Sequence, residues 1–190
     1  MNSLSNIAVI PARKGSKRFP GKNRAKIQGK SLVELAILCA ADTRIFDKII
    51  VSSDDEYFFE LAKIYPFVII HKRPVSISTD SATPLDVLTD LSRSYFNNEV
   101  VRYCYLQPTS PLRIKDDIIN SISDNSISVH YDEFNKHNNS HNVIKTLQKM
   151  DLNYDLKHSM DELKNLYFNG LFYWVNTEIL KDQRGFIGPK

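Results

Sequence analysis

An α/β domain on a mostly parallel sheet is what this 190-residue sequence predicts. Three observations carry that reading. Short apolar runs alternate with helical patterns at least four times, which calls for right-handed βαβ crossovers. The first strand, 6–11, is continuously apolar from Ile7 on, as in a strand buried on both faces. Polar loops leave the carboxyl ends of the runs, where parallel sheets bind ligands. One domain over 1–190 suits the length.

The elements follow in order. After the strand 6–11, residues 12–30 form a loop rich in cations. Ser31-Leu-Val-Glu34 is a capping box that opens a helix with Leu32, Leu35, Ile37, Leu38 and Ala41 on its apolar face. Lys48 to Ser52 is a second strand. Ser53-Asp-Asp-Glu56 reads as another capping box, starting a helix to about Tyr65. Phe67 to Ile70 is a third strand, and 72–83 a polar loop. Pro84 suits a first helical position with Thr83 as cap. Val100 to Leu106 is a fourth strand, and Gln107-Pro-Thr-Ser-Pro-Leu-Arg113 a loop stiffened by two prolines. A helix over 114–123 and a strand over 127–130 follow. The pattern loosens over 131–158, dense in Asn and His, as an arm outside the sheet. Leu166 to Val175 is aromatic and strand-like, with Asn169-Gly170 as a bulge or turn within it.

The charge is unevenly placed. Residues 1–33 hold eight Lys or Arg and no acid; the first is Glu34. The remainder holds 17 basic and 22 acidic residues, so the net +3 belongs to this segment. A strand feeding a small-residue, cationic loop suits a bound polyphosphate, because backbone N–H groups and cationic side chains converge on one anion. The loops at 12–30, 72–83 and 107–113 all leave carboxyl ends and are expected to share one crevice. A Walker A loop is excluded: Gly15 and Gly21 are one residue too far apart, and Asn23 follows Lys22 where Ser or Thr is needed. Cations confined to one loop, without interleaved aromatics, argue against nucleic acid.

Other groups weigh less. His137 and His141 have helical metal-pair spacing, but the flanking Asn-Asn-Ser suits a surface loop. Asp54-Asp55 and Asp116-Asp117 suit either Mg²⁺ or a helix dipole. Arg113 suits either a carboxylate ligand or a surface cap. Cys39 and Cys104 read as buried reduced thiols. No run of 18 apolar residues predicts a membrane span, the first residues do not read as a signal peptide, and a cytoplasmic protein is expected.

Several separated motifs carry a family resemblance. They are Pro-Ala-Arg13-Lys-Gly-Ser16-Lys17, Pro-Gly-Lys22-Asn23, Val-Ser-Ser-Asp-Asp-Glu, Arg73-Pro, Leu-Gln107-Pro-Thr-Ser-Pro-Leu-Arg113 and Asn169-Gly170-x-x-Tyr. In this order and spacing they resemble the acylneuraminate cytidylyltransferases, the CMP-sialic acid synthetases. The CMP-Kdo synthetases share the Pro-Ala-Arg start and fit the later motifs less well. The resemblance implies a Rossmann-like α/β nucleotidyltransferase with helices on both sheet faces. It also implies a small dimerisation arm over 131–165 and a homodimer. The implied reaction joins CTP to a sialic-acid-like nonulosonic acid and releases pyrophosphate, with Mg²⁺ as cofactor. Arg13 and Lys22 are the implied catalytic cations. Arg13, Ser16, Lys17, Lys22, Asn23, Arg73 and Thr83 would hold the nucleotide, and Gln107 and Arg113 the sugar acid.

Two departures shape the expectation. Pro84 stands where the family has a small hydroxyl residue near the base, with Thr83 before it. The family continues into an Asp-x-Asp-type metal pair, so the metal ligands are expected beyond Lys190. This chain is expected to be either a truncated piece or a shortened homologue, and the missing segment to weaken or abolish turnover even if CTP still binds.

Overall fold

A computed structural model describes residues 4–15, 19–122, 125–131 and 166–178 of the chain. The sheet strands are β1 (Asn6–Pro11), β4 (Lys48–Ser53), β5 (Val68–Lys72), β6 (Arg102–Tyr105), β7 (Asn125–Tyr131) and β8 (Leu166–Asn176). Two short strands, β2 (Lys26–Ile27) and β3 (Lys30–Ser31), pair as a separate hairpin. The main sheet runs β5-β4-β1-β6-β8-β7. β1 pairs in parallel with β4 and β6, and β4 with β5. β8 is antiparallel to both β6 and β7. The sheet is thus mostly parallel, as predicted.

β1 is central because it is apolar on both sides: Ile7, Ala8, Val9 and Ile10 are all fully buried. Strand alternation sends them to opposite faces. Ala8 and Ile10 pack with Val33, Ile37, Phe58, Ile118 and Trp174. Ile7 and Val9 pack with Val87, Leu88 and Leu91. One face is therefore covered by α1 (Leu32–Thr43), α2 (Glu56–Phe59), α3 (Leu61–Ile64) and α5 (Lys115–Asn120), and the other by α4 (Pro84–Phe96). Each fully buried Ile or Val contributes roughly 1.5–3 kcal/mol, so this strand anchors the core more firmly than any surface ion pair.

Two helix starts were legible. Ser31 Oγ accepts from Glu34 N at 3.2 Å, and Ser31 N donates to Glu34 Oε2 at 2.8 Å. Thr83 and Asp86 make the same box at α4, with Pro84 at the first position. At its other end α1 stops on Arg44, a non-glycine residue at φ 56°. That left-handed conformation strains a side chain, and glycine adopts it freely. Arg44→Gly is expected to stabilise the fold by about 0.5–1 kcal/mol, seen as a melting temperature higher by roughly 2 °C. A lower melting temperature would show that Arg44 contributes more than its backbone strain.

The predicted box at Ser53 does not form. β4 runs on through Ser53, whose hydroxyl donates to the Ala12 carbonyl and accepts from Asp55 N at 2.9 Å. Asp55 caps the helix instead, accepting from Tyr57 N at 3.1 Å, and the single helix expected to Tyr65 breaks at Glu60 into α2 and α3. The third strand lies one to two residues later than predicted, leaving Phe67 exposed. The fourth strand and the helix over 114–123 are shorter than expected, and β7 is longer. The 12–30 loop is not wholly irregular. Lys22–Arg24 makes a 3-10 turn, and β2 and β3 are joined by Gln28 (φ 50°) and Gly29 (φ 82°), as a two-residue hairpin turn requires. The bulge predicted at Asn169-Gly170 coincides with a register slip: Ile127 pairs with Tyr173, but Val129 pairs with Phe168. Apart from Tyr131, which ends β7, the proposed arm 131–165 lies outside the described residues, as do His137 and His141.

Candidate functional site

A cleft of about 300 Å³ opens at the carboxyl ends of β1 and β6. Pro11 and Arg13 enter it from the end of β1 and Lys22 and Asn23 from the turn beyond. Arg73 comes from just past β5, Ala82 and Pro84 from the start of α4, and Tyr105, Gln107, Pro108 and Thr109 from the end of β6. The three loops read from the sequence do share this crevice. Three of the lining side chains are cationic, and among the described residues none is acidic. Anions are favoured in such a cleft because each cation is partly removed from solvent screening.

Backbone and side-chain bonds hold these groups in place. Asn23, buried, donates from Nδ2 to the Arg13 carbonyl at 3.1 Å and so ties the two halves of the basic loop together. Arg13 pairs with Asp80 across the cleft mouth. The loop is latched below by Arg24, which grips the buried Asp55 through Nε at 2.9 Å and through Nη2, and stacks over Tyr57 at 4.6 Å. The Asp55 hydrogen bond pushes the Arg24 pKa up. Lys14 N donates to Asp54 Oδ1 at 2.7 Å. Asp54 and Asp55 thus hold the loop. On the opposite wall Gln107 Nε2 donates to Tyr173 Oη at 3.2 Å, and Arg113 Nη2 donates to the Gln107 carbonyl at 2.7 Å.

Arg73 is 8% exposed. Its Nε donates to Ser52 Oγ at 3.1 Å and its Nη2 to the Ser52 carbonyl at 3.0 Å. Burial pulls its pKa down, while Tyr105 and Asp54 act in the other direction. Burial likewise raises Tyr105 to about 12, so it stays a neutral wall of the cleft. Behind Arg73 lies His71, with Nδ1 2.9 Å from Ser52 Oγ and Nε2 2.8 Å from Asp90 Oδ2. The Tyr95 ring packs edge-on against it, centroids 5.6 Å apart.

Burial lowers the His71 pKa, and Asp90 opposes this without reversing it. A depressed histidine pKa means the unfolded chain takes the proton more readily than the folded one. The contribution is therefore intact above about pH 6.5, the ordinary histidine value, and is lost as pH falls through the lower folded value. The wild-type melting temperature is expected to fall between pH 7 and pH 5, and to fall less in His71→Asn. Parallel curves for the two proteins would show that His71 does not titrate in that window.

A family model described as cytidylyltransferase matches residues 7–178. The chain belongs to the cytidylyltransferase family. An N-acylneuraminate cytidylyltransferase of Streptococcus agalactiae serotype V is 38% identical over 112 residues, covering 58% of this chain and 26% of that protein. A pseudaminic acid cytidylyltransferase of Campylobacter jejuni is 37% identical over 119 residues, 60% of this chain and 50% of that one. An Escherichia coli O18:K1:H7 N-acylneuraminate cytidylyltransferase is 28% identical over 193 residues, 96% of this chain and 45% of the relative. The chain thus spans about a quarter to a half of the length of these relatives. A structure of CMP:2-keto-3-deoxy-manno-octonic acid synthetase complexed with CTP superposes with a TM-score of 0.63 at 18% identity, covering 94% of this chain and 77% of the other. That likeness supports the α/β nucleotidyltransferase fold.

In this family member Arg13, Lys22, Asn23, Arg73 and Gln107, all singled out from the sequence, line one cleft. Ser16 and Lys17 lie outside the described residues. Thr83 sits between two lining residues, but its hydroxyl is engaged with Asp86 as the α4 cap. Arg113 is buried behind the 107–113 loop and is not among the lining residues; its guanidinium supports Gln107 from below. Asp116 and Asp117 are exposed in the first turn of α5. Among the described residues no three His, Cys, Asp or Glu side chains lie close enough to hold a metal ion, and no helix is long and apolar enough to cross a membrane. Cys104 is buried and Cys39 half-buried, both free. The sequence reading missed Ser52, His71, Asp90 and Tyr105. The available signal was His71 itself, a polar residue at the end of the apolar run Val-Ile-Ile, where an unpaired imidazole would be costly.

Proposed function

We propose that this cytidylyltransferase transfers CMP from CTP to the anomeric hydroxyl of a nonulosonic acid of the sialic-acid kind. The observation that carries the reading is the convergence of Arg13, Lys22 and Arg73 on one cleft that also holds Gln107. The sugar hydroxyl attacks the α-phosphorus and gives its proton to water, and the bond from the α-phosphorus to the oxygen it shares with the β-phosphate breaks, releasing pyrophosphate. Negative charge grows on the transferred and leaving groups, so fixed cations lower the barrier by positioning and electrostatics. Arg13 and Lys22, joined by Ser16 and Lys17 of the same loop, take the phosphates. Asn23 and Arg73 take the cytidine side, beside the wall made by Ala82 and Pro84, with Thr83 between them. Gln107 takes the sugar acid, held in place by Arg113. The relatives' names support N-acylneuraminate as the acceptor, and equally its pseudaminic and legionaminic analogues.

Mg²⁺ supplies charge neutralisation on a triphosphate when bound. The described residues do not make a site for it, and no step here depends on one. A homodimer joined through 131–165 and a cytoplasmic location belong to the same proposal. The test is pyrophosphate release from the full-length gene product, with CTP, Mg²⁺ and each of N-acetylneuraminic, legionaminic and pseudaminic acids. Release is expected only when CTP and one of the sugars are both present. No release with any of them overturns the reading. A narrower role, CTP binding by this chain without turnover, is the second reading. It predicts that CTP raises the melting temperature of residues 1–190 while no pyrophosphate appears.

A further inference from the structure

Arg73 is a buried cation whose donors are only partly used. Two of its five guanidinium N–H groups are spent on Ser52, and among the described residues the other three have no hydrogen-bond partner. A guanidinium this deep keeps its orientation only if the group gripping it is itself fixed. That group is the Ser52 hydroxyl at the carboxyl end of β4, which is fully buried. Because Ser52 Oγ accepts from Arg73 Nε, its own proton is free to point elsewhere. Among the described residues the acceptor placed for it is His71 Nδ1, at 2.9 Å. Nδ1 accepts only when the imidazole proton sits on Nε2, and Nε2 faces the Asp90 carboxylate at 2.8 Å. The hydrogen bonds therefore run one way: Arg73 to Ser52, Ser52 to His71, His71 to Asp90.

We infer that His71 and Asp90 are positioning residues, acting through Ser52 to fix the Arg73 guanidinium for its nucleotide contact. The chain crosses from the cleft to the middle of α4 and links three separate elements: β4, β5 and α4. Asp90 selects the tautomer, the tautomer orients the Ser52 hydroxyl, and the hydroxyl leaves its lone pairs for Arg73. The charged or titratable groups facing His71 are Asp90 and Tyr95 from α4 and Arg73 from beyond β5, so Asp90 alone supplies the selecting charge. This inference rests on the reading of Arg73 as a nucleotide contact.

Two isosteric replacements separate the relay from simple packing. Asn places its side-chain oxygen near the position of Nδ1, and so restores an acceptor for Ser52. Gln reaches the position of Nε2, and so keeps the Asp90 contact while losing the one to Ser52. Asp90→Ala removes the tautomer selection from a helix position that is only partly buried, and the melting temperature measured alongside reads what the unpaired imidazole costs. CTP and inorganic pyrophosphate are titrated calorimetrically into the 190-residue chain and into His71→Gln, His71→Asn, Asp90→Ala and Arg73→Lys, with melting temperatures measured alongside. Pyrophosphate reports on the phosphate loop alone. The expected result is CTP binding weakened roughly tenfold in His71→Gln and about fivefold in Asp90→Ala. His71→Asn should stay within about threefold of wild type, and pyrophosphate binding within about twofold throughout. If His71→Gln and Asp90→Ala bind CTP normally while Arg73→Lys does not, the relay is overturned and the nucleotide reading stands. If Arg73→Lys also binds CTP normally, both fall. Equal losses of CTP and pyrophosphate would mean general loosening, and also overturn the relay.

Discussion

Lys22→Ala is expected to remove most of the rise in melting temperature that CTP gives the wild-type chain. Lys22 lines the cleft at the first position of the 3-10 turn, where Gly21 at φ 70° lets the loop reverse. A charge-assisted hydrogen bond to phosphate contributes about 1.5–3 kcal/mol, so its loss weakens binding roughly 10- to 100-fold. At a CTP concentration about 100 times the wild-type Kd, ligand stabilisation is about 2.7 kcal/mol. A variant binding about 30-fold more weakly keeps less than about 1 kcal/mol of it at the same concentration. The thermal shift should shrink from roughly 8 °C to about 3 °C or less. The unliganded melting temperature should hold, since among the described residues Lys22 makes no side-chain hydrogen bond or ion pair that the variant would lose. An unchanged thermal shift would take Lys22 out of the phosphate site.

Trp174→Ala should be the most destabilising single change in the described core. The indole is 1% exposed, stacks on Phe46 with centroids 5.7 Å apart, and donates from Nε1 to Ser121 Oγ at 3.1 Å. Removing a buried Trp costs about 3–5 kcal/mol through lost burial and an unfilled cavity. That lowers the melting temperature by roughly 10 °C or more, and moves the urea midpoint with the slope unchanged. Trp174→Phe keeps a ring against Phe46 but loses the hydrogen bond and part of the indole volume, at about 1–3 kcal/mol. The change also reaches the site, because the neighbouring Tyr173 is the acceptor for Gln107. A Trp174→Ala protein as stable as wild type would mean that β8 does not close the core as described.

Much of this was legible in the residues. Ser31 with Glu34, and Thr83 before Pro84, announced their helices, because a cap is satisfied within four residues; that Asp86 completes a box with Thr83 came from the structure. The cationic loop stood out because its charge has no local counterpart. Where short-range rules failed, a distant strand had intervened. Ser53 looked like a cap and became the end of β4, since Ala12 on the neighbouring β1 side offered its carbonyl to the hydroxyl. Asp54 and Asp55 looked fit for a metal, and better fit for a helix start, where Asp55 does cap α2. Their use in holding Lys14 and Arg24 depends on β1 and β4 lying side by side.

By itself the sequence determined the fold class, the starts of α1 and α4 and the residue types that meet in the cleft, because each depends on spacing along the chain. Only the tertiary structure decided how those residues are held. The order β5-β4-β1-β6-β8-β7 brings Ser52, His71 and Arg73 together from two strands and sets Asp90 of α4 behind them. The physical reason is that a buried donor must find its acceptor in space, and the sheet order sets which residues become neighbours.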